Sequence, residues 1–345
     1  MKPRRLRILV LGQLLVAALL SACGESPAAG GTPRVVRLGY FANVTHAPAI
    51  VAIERGFFAD ELGPGATLEP RTFNAGPEAV EALFSEALDL TYLGPNPAIN
   101  AFAQSGDEAI RIVAGATSGG AALVVQPSIT KPADLVGQKL ATPQLGNTQD
   151  VALRAWLAAQ GLSANLEGGG DVQVLPQANA QTLETFRAAE IQGAWVPEPW
   201  ATRLVLEGGG SVLVDEQSLW PDGKFVTTHL VVRTRFLEEH PELVARVLRA
   251  HVRAVDFVNA EPAQAREIVN AGIAKLVGKG LPAAVIERAW ANLGFTVDPI
   301  VASLRKSAAD ATAVGLLDPV RLDGIYDLGA LNEILAAAGR PPITL

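Results

Sequence analysis

The sequence predicts an α/β protein of two lobes, joined by two hinge crossings and completed by a helical C-terminal part. Three observations lead there. Strand-like and helix-like segments alternate from Val35 to Asp215, a rhythm that builds largely parallel sheets covered by helices. Past Phe225 that rhythm stops and helical patterns take over. Polar, uncharged residues collect where strands give way to helices, which is where open α/β sheets bind ligands.

Taken in order, "RVVRLGYF" reads as a strand and "HAPAIVAIERGFFADEL" as a helix, its apolar residues at helical spacing. "ATLEPRTF" and "GPEAVEALFSEA" repeat the pair, as do "LDLTYLG" and "NPAINAFAQSG", and "AIRIVAGAT" adds a strand. "AALVVQ" runs on into "SITKPADLVG", a short helix before the strand "KLAT". The alternation resumes with "NTQDVALRAWLAAQG", "DVQVLP", "AQTLETFRAAE", "IQGAWV", "PWATRLVLEGG" and "SVLVDE". "KFVTTHLVVRTRF" is one more strand, and the remainder reads as almost all helix. The division that follows is a first lobe of 34–124 plus 226–345 and a second lobe of 125–225, with crossings near residues 124 and 225. No short internal repeat is present.

A chain of 345 residues, 49% hydrophobic and 18% charged, is long enough for two packed cores. Its formal net charge of −7 argues against a nucleic-acid partner. The start, "MKPRRLRILVLGQLLVAALLSAC", has a basic head and an apolar core shorter than the roughly twenty residues of a membrane span. It ends in small residues, so residues 1–22 read as a secretory signal. Leu20-Ser21-Ala22-Cys23 resembles the bacterial lipobox, which makes Cys23, the only cysteine, the expected lipidation site. Residues 23–33 then form a flexible tether, and no disulfide is available. The expected location is extracytoplasmic, lipid-anchored to the cell membrane.

The strand-end loops share one chemistry. In the first lobe they hold Asn43, Thr45 and His46, then Asn74 and Gly76, then Pro95 and Asn96, then Thr117 and Ser118. In the second lobe "PQLGNTQD" supplies Gly146, Asn147, Thr148 and Gln149; "PQANAQ" and "AWVPEPW" follow, the latter with Trp195 and Glu198. The returning strand carries Thr227, Thr228 and His229. Helix N-termini expose free N–H groups with partial positive charge, and small residues let an anion approach them. Taken singly, each Asn, Ser or Thr is also an ordinary helix cap.

Other candidates carry competing roles. His46 is either a donor to an oxyanion or a cap, His229 a core residue, and His240 and His251 solvent-face residues of a C-terminal helix. The tryptophans read as core, except Trp195, which ends a strand at the expected cleft and would wall an apolar ligand tail. Glu198 is an amine partner for a zwitterion, an ion pair to Arg203, or, preferred, a structural group near the hinge. No metal-ligand spacing, nucleotide loop or nucleophile elbow occurs, so neither metal nor cofactor nor enzymatic chemistry is expected.

"THAPAIVAIERGFFADELG", "FNAGPEAVEALFSEALDLTYLGPNPAINAF" and "GAWVPEPWATRLV" resemble the nitrate/sulfonate/taurine family of ABC-transporter substrate-binding proteins. The resemblance runs from Val35 to about residue 260. It implies the type II periplasmic-binding-protein fold and a monomer that delivers a small anionic or zwitterionic solute to a membrane permease driven by a cytoplasmic ATPase. By position it places the ligand among the loops at Asn43–His46, Asn74–Gly76, Pro95–Asn96, Thr117–Ser118, Gly146–Gln149 and Trp195–Glu198. The family spans nitrate, bicarbonate, alkanesulfonates, taurine and pyrimidine precursors; an aliphatic sulfonate or taurine is the expected ligand. Two alternatives on the same fold are the thiamine-pyrimidine synthase, which resembles it but carries a cysteine-rich motif absent here, and a sensor lipoprotein without a permease.

Overall fold

The computed structural model describes residues 34–345. The signal segment 1–22, the lipidation site Cys23 and the tether 23–33 lie outside the described residues.

The chain begins with β1 (Arg34–Phe41), α1 (Ala47–Glu54), α2 (Phe57–Leu62), β2 (Ala66–Phe73), α3 (Gly76–Phe84), β3 (Leu90–Leu93), α4 (Pro95–Gln104) and β4 (Ile110–Gly119). It crosses into β5 (Ala121–Val125), β6 (Lys139–Thr142), α5 (Thr148–Ala159), β7 (Gln173–Pro176), α6 (Asn179–Arg187), β8 (Gly193–Pro197), α7 (Trp200–Leu206) and β9 (Ser211–Asp215). It returns through β10 (Val226–Arg233) to α8 (Thr234–Glu239), α9 (Pro241–Ala260), α10 (Pro262–Val277), α11 (Ala283–Ala291), β11 (Leu293–Phe295), α12 (Val301–Ala313) and α13 (Gly329–Ala337).

Two sheets result, in the orders β11-β4-β10-β3-β1-β2 and β7-β6-β8-β5-β9. They are mixed, not largely parallel as the alternation suggests. In the first sheet β10, returning from the second, runs antiparallel between β3 and β4. In the second, β5 arrives from the first and runs antiparallel between β8 and β9. The remaining β1–β2, β1–β3, β6–β7 and β6–β8 pairs are parallel. Each sheet thus keeps its parallel set and admits the crossing strand against the grain. The C-terminal part is not purely helical either, since β11 pairs antiparallel with β4 at the sheet edge.

All of β5 lies in the second sheet, so the change of sheet falls at Gly119–Gly120, ahead of the expected position near residue 124. Both glycines have positive φ, 78° and 73°. A Cβ on Gly119 would meet Asn292 O at 2.9 Å, and one on Gly120 would meet Leu293 Cδ2 at 2.1 Å. Only glycine fits this passage.

Alternation assigns each strand's residues to two cores. On β5, Leu123 and Val125 join one core of the second sheet while Ala122 and Val124 join the other. On β10, Leu230 and Val232 face α1, α2 and α9, while Val231 faces α3, α4 and α12. The apolar stripe of α9 includes Val244, Val247, Leu248, Val252, Val255 and Val258. His251 falls within that stripe and is fully buried, which corrects its reading as a solvent-face residue. His251 Nε2 lies 2.7 Å from Gly115 O and must carry the proton, so Nδ1 accepts from Tyr92 Oη–H at 2.9 Å. His240 is only partly exposed and packs against Phe236 at an interplanar angle of 56°.

At the end of the first sheet where β1 and β3 begin, fully buried Asp89 accepts from Arg37 N and Nε, both at 2.9 Å, and from Arg233 Nη2 at 3.1 Å. Burial pushes its pKa up, but the hydrogen bonds and charges of the two arginines outweigh this and hold it below the ordinary value of 3.8. Asp89→Asn is expected to cost about 2 kcal/mol at pH 7 by removing the carboxylate that takes hydrogen bonds from the half-buried Arg37 and Arg233. A depressed folded pKa means the contribution is present above the unfolded value and lost below it. Urea melts should therefore show the gap between variant and wild type closing as pH falls through and below 3.8.

Candidate functional site

The carboxyl ends of the parallel strands face one another across a gap between the two sheets. From the first sheet come Phe41, Asn43, Thr45 and His46 after β1, Asn74 and Gly76 after β2, Gly94 and Pro97 after β3, and Thr227 and Thr228 of β10. From the second come Pro143 and Asn147–Gln149 after β6, Asn179 after β7, and Pro197 of β8. The enclosed space is about 30 Å³. A groove of about 730 Å³ lies elsewhere, lined by α12 and the segment 319–326. Its walls mix apolar Val301, Ala308 and Val320 with Arg305, Thr312, Asp323 and Tyr326, and it lies away from the strand-end loops that face the gap.

Among the described residues lining the cleft, none carries a formal charge. Its donors are neutral and fixed. His46 is buried, and its Nδ1 accepts from Phe41 N–H at 3.3 Å, so Nε2 holds the proton. Burial lowers the His46 pKa to about 3, keeping the ring neutral. Asn43 Oδ1 accepts from Trp200 Nε1 of the other lobe at 3.0 Å, leaving the Asn43 amide N–H groups as donors. Asn147 caps α5 by accepting Gln149 N–H at 3.2 Å, and its own amide N–H groups remain. Helices α3, α5 and α6 start at lining residues, and α4 starts immediately after Gly94, so several positive helix ends converge on the gap.

The supports lie one layer back. Fully buried Asp150 accepts from Thr142 Oγ1 at 2.9 Å and Gly146 N at 3.0 Å, which pins the loop before α5. Arg154 Nε, 3.1 Å away, compensates its charge. Thr45 O accepts from Thr117 Oγ1 at 2.7 Å and from Thr228 Oγ1 at 3.2 Å, which fixes the loop after β1.

The structure brings Asn43, Thr45, His46, Gly76, Asn147, Thr148 and Gln149 together, with exposed Asn74 on the rim. It places the other expected residues elsewhere. Thr117 stands behind the Thr45 loop, and Ser118 pairs with Gly294 on β11. Gly146 is spent on Asp150. Pro95 and Asn96 face a neighbouring crevice between the lobes, where Asn96 Nδ2 donates to Ser307 O at 3.1 Å.

Trp195 is not a cleft wall. Its neighbours Ala194 and Val196 take one face of β8, so it takes the other, packing on Trp156 and donating to Glu216 Oε2 at 2.7 Å. Glu198 lies outside the cleft too. It accepts from Thr202 N at 3.1 Å, Thr202 Oγ1 at 2.9 Å and Asn292 Nδ2 at 2.7 Å, and so ties the end of β8 to the first lobe. Arg203 pairs with Glu207 and not with Glu198.

Sequence reasoning left out Phe41, Gly94, Pro97, Pro143, Asn179, Pro197, Thr227 and Thr228 from the site. Asn179, Thr227 and Thr228 lie in segments already marked as strand-end or returning-strand loops. Gly94 and the prolines give no polar signal; Gly94 matters because a Cβ there would sit 2.4 Å from Thr148 Oγ1 across the gap.

The NMT1-like family model matches residues 29–274, and the chain belongs to that family. It is 31% identical over 216 residues to the taurine-binding periplasmic protein of Escherichia coli (strain K12), a match spanning 62% of this chain and 64% of that protein. It is 27% identical over 317 residues to a putative aliphatic sulfonates-binding protein of the same organism, spanning 90% and 93%. Among solved structures, the alkanesulfonate-binding protein SsuA from Xanthomonas axonopodis pv. citri bound to MOPS superposes with a TM-score of 0.69 at 22% identity, over 84% of this chain and 96% of that one. The fold is that of the periplasmic binding proteins, as the loop motifs imply.

Besides His46, burial lowers His229 and His251 to about 4, while it raises Glu216 to about 7 and Glu198 above its ordinary value. The unfolded chain protonates its histidines below the ordinary 6.5 and the folded one does not, so stability falls on acidification. The two glutamates hold protons in the folded state that the unfolded chain releases, and they oppose this. The histidines outnumber them, and stability is expected to fall by about 2 kcal/mol per pH unit near pH 5. Denaturant titrations between pH 7 and pH 5 measure it; His251→Gln should flatten the slope.

Proposed function

We propose that this chain is the solute-binding lipoprotein of an ABC importer, anchored outside the cytoplasmic membrane through Cys23 and acting as a monomer. It captures a small organic anion between lobes 34–119 plus 226–345 and 120–225 and delivers it to a membrane permease with a cytoplasmic ATPase. The observation that carries this reading is the cleft itself: fixed neutral donors and converging helix ends, with no formal charge among its described lining residues. Dehydrating an anion costs several kcal/mol unless aligned donors replace its water. The lining offers such donors and no base–nucleophile pair, so capture without chemistry fits best.

An aliphatic sulfonate is the preferred ligand. Its charge is spread over three oxygens, which suits several weak donors, and one relative named for aliphatic sulfonates matches 90% of the chain. A second reading, nitrate or bicarbonate, is favoured by the small enclosed space of about 30 Å³, which a short organic tail enters only with the lobes further apart.

The test is a thermal-shift screen of the refolded, ligand-free protein against nitrate, bicarbonate, sulfate, taurine, alkanesulfonates and a pyrimidine. A ligand that binds only the folded state raises the melting temperature. A shift with alkanesulfonates supports the reading; a shift confined to nitrate or bicarbonate replaces it with the second. Asn147→Ala and Thr148→Ala should each weaken the bound ligand about tenfold by calorimetry, the effect of losing one hydrogen bond to a charged group. Unchanged affinity in both would place the site elsewhere.

A further inference from the structure

One acceptor in the cleft has no partner within the protein. Asn179 opens α6 from the second lobe and is 8% exposed, and its Oδ1 is buried without a hydrogen bond. An unpaired buried amide oxygen costs about 1–3 kcal/mol, and native structures pair nearly all such atoms. Three further cleft acceptors are taken: Asn43 Oδ1 by Trp200, Asn147 Oδ1 by Gln149 N–H, and His46 Nδ1 by Phe41 N–H. Among the described lining residues, Asn179 Oδ1 is the side-chain acceptor that is both buried and unpaired.

We infer that Asn179 is a specificity residue that accepts a hydrogen bond from the ligand, and that the ligand class is a short sulfonate bearing an uncharged donor, such as a hydroxyl, beside its anionic end. This rests on the sulfonate reading above and narrows it. An alkyl tail would leave Oδ1 unpaired. An ammonium would pair with it but bring a full charge into a site whose described lining holds no carboxylate. The carboxylate expected for that task, Glu198, faces a separate pocket and is occupied by Thr202 and Asn292. A hydroxyl supplies one proton for one acceptor and no charge.

Three probes of nearly equal size separate these cases: 2-hydroxyethanesulfonate, taurine and ethanesulfonate, titrated calorimetrically into the refolded full chain in detergent. The hydroxyl probe is expected to bind about tenfold tighter than ethanesulfonate, the effect of one hydrogen bond, and tighter than taurine. Asn179→Ala should erase the preference for the hydroxyl, with a cooperative melting transition followed by circular dichroism showing that the variant folds. Asn179→Asp, of the same shape but charged, should turn the preference toward taurine. Equal binding of the hydroxyl and alkyl probes by the wild type overturns the inference and leaves the sulfonate reading standing, as does a preference that survives Asn179→Ala. Tightest binding of taurine by the wild type also overturns it. Binding of nitrate or bicarbonate with none of the three probes overturns both readings together.

Discussion

The passage of the chain at Gly119 and Gly120 is the constraint on which the rest of the structure depends. The two connections between the sheets lie side by side there, because β4 leaves the first sheet next to β10 as it returns. Hydrogen bonds join them: Gly119 N donates to Phe225 O and Thr227 Oγ1 donates to Gly119 O, while Glu198 N, at the end of β8, donates to Gly120 O. The same passage explains why each sheet contains one reversed strand inserted between forward ones, β10 in the first and β5 in the second. A chain that enters a parallel set and leaves it again on the same side has to run against its neighbours.

That geometry decides where the polar loops point. With the crossing strands reversed, the carboxyl ends of both parallel sets face the gap, and helix starts follow them. Charge is kept out of the lining and paired behind it. Asp150 sits beneath the loop before α5, satisfied by Thr142, Gly146 and Arg154, so it orders the loop while its charge is compensated. The cleft thus acquires rigid neutral donors, whose strength comes from position and not from formal charge.

Much of this was legible in the sequence, and the misses have physical causes. Periodicity gave the elements and the strand-end loops, but pairing direction leaves no mark on periodicity, so the antiparallel insertions of β5 and β10 were not readable. The three-residue strand β11 is too short to carry a pattern. His251 was readable: it lies four residues after Val247 and four before Val255, on the apolar face of α9, and its type alone misled. Trp195 was readable as well, since alternation with Ala194 and Val196 turns it from the face they occupy. For Glu198 the structural role was the preferred reading, but its partner Asn292, 94 residues away in the other lobe, leaves no local mark. The pairing of Asn43 with Trp200, 157 residues apart, is hidden for the same reason.

The lobes touch through the protein's own groups. Trp200 donates to Asn43 across the gap, Gly94 lies against Thr148, and Asn292 holds Glu198. A solute shifts an opening equilibrium only by its differential affinity for the two arrangements. Lobe-to-lobe hydrogen bonds lower the free energy of the closed arrangement whatever is bound, so less of the solute's own binding energy is consumed in closing. They also weaken the dependence of closure on the solute, since a closed empty protein resembles a loaded one from outside. The balance is restored if closing without a solute leaves a group unsatisfied. Under the inference drawn for Asn179, its Oδ1 is such a group, since a ligand that donates to it removes the cost of leaving it unpaired.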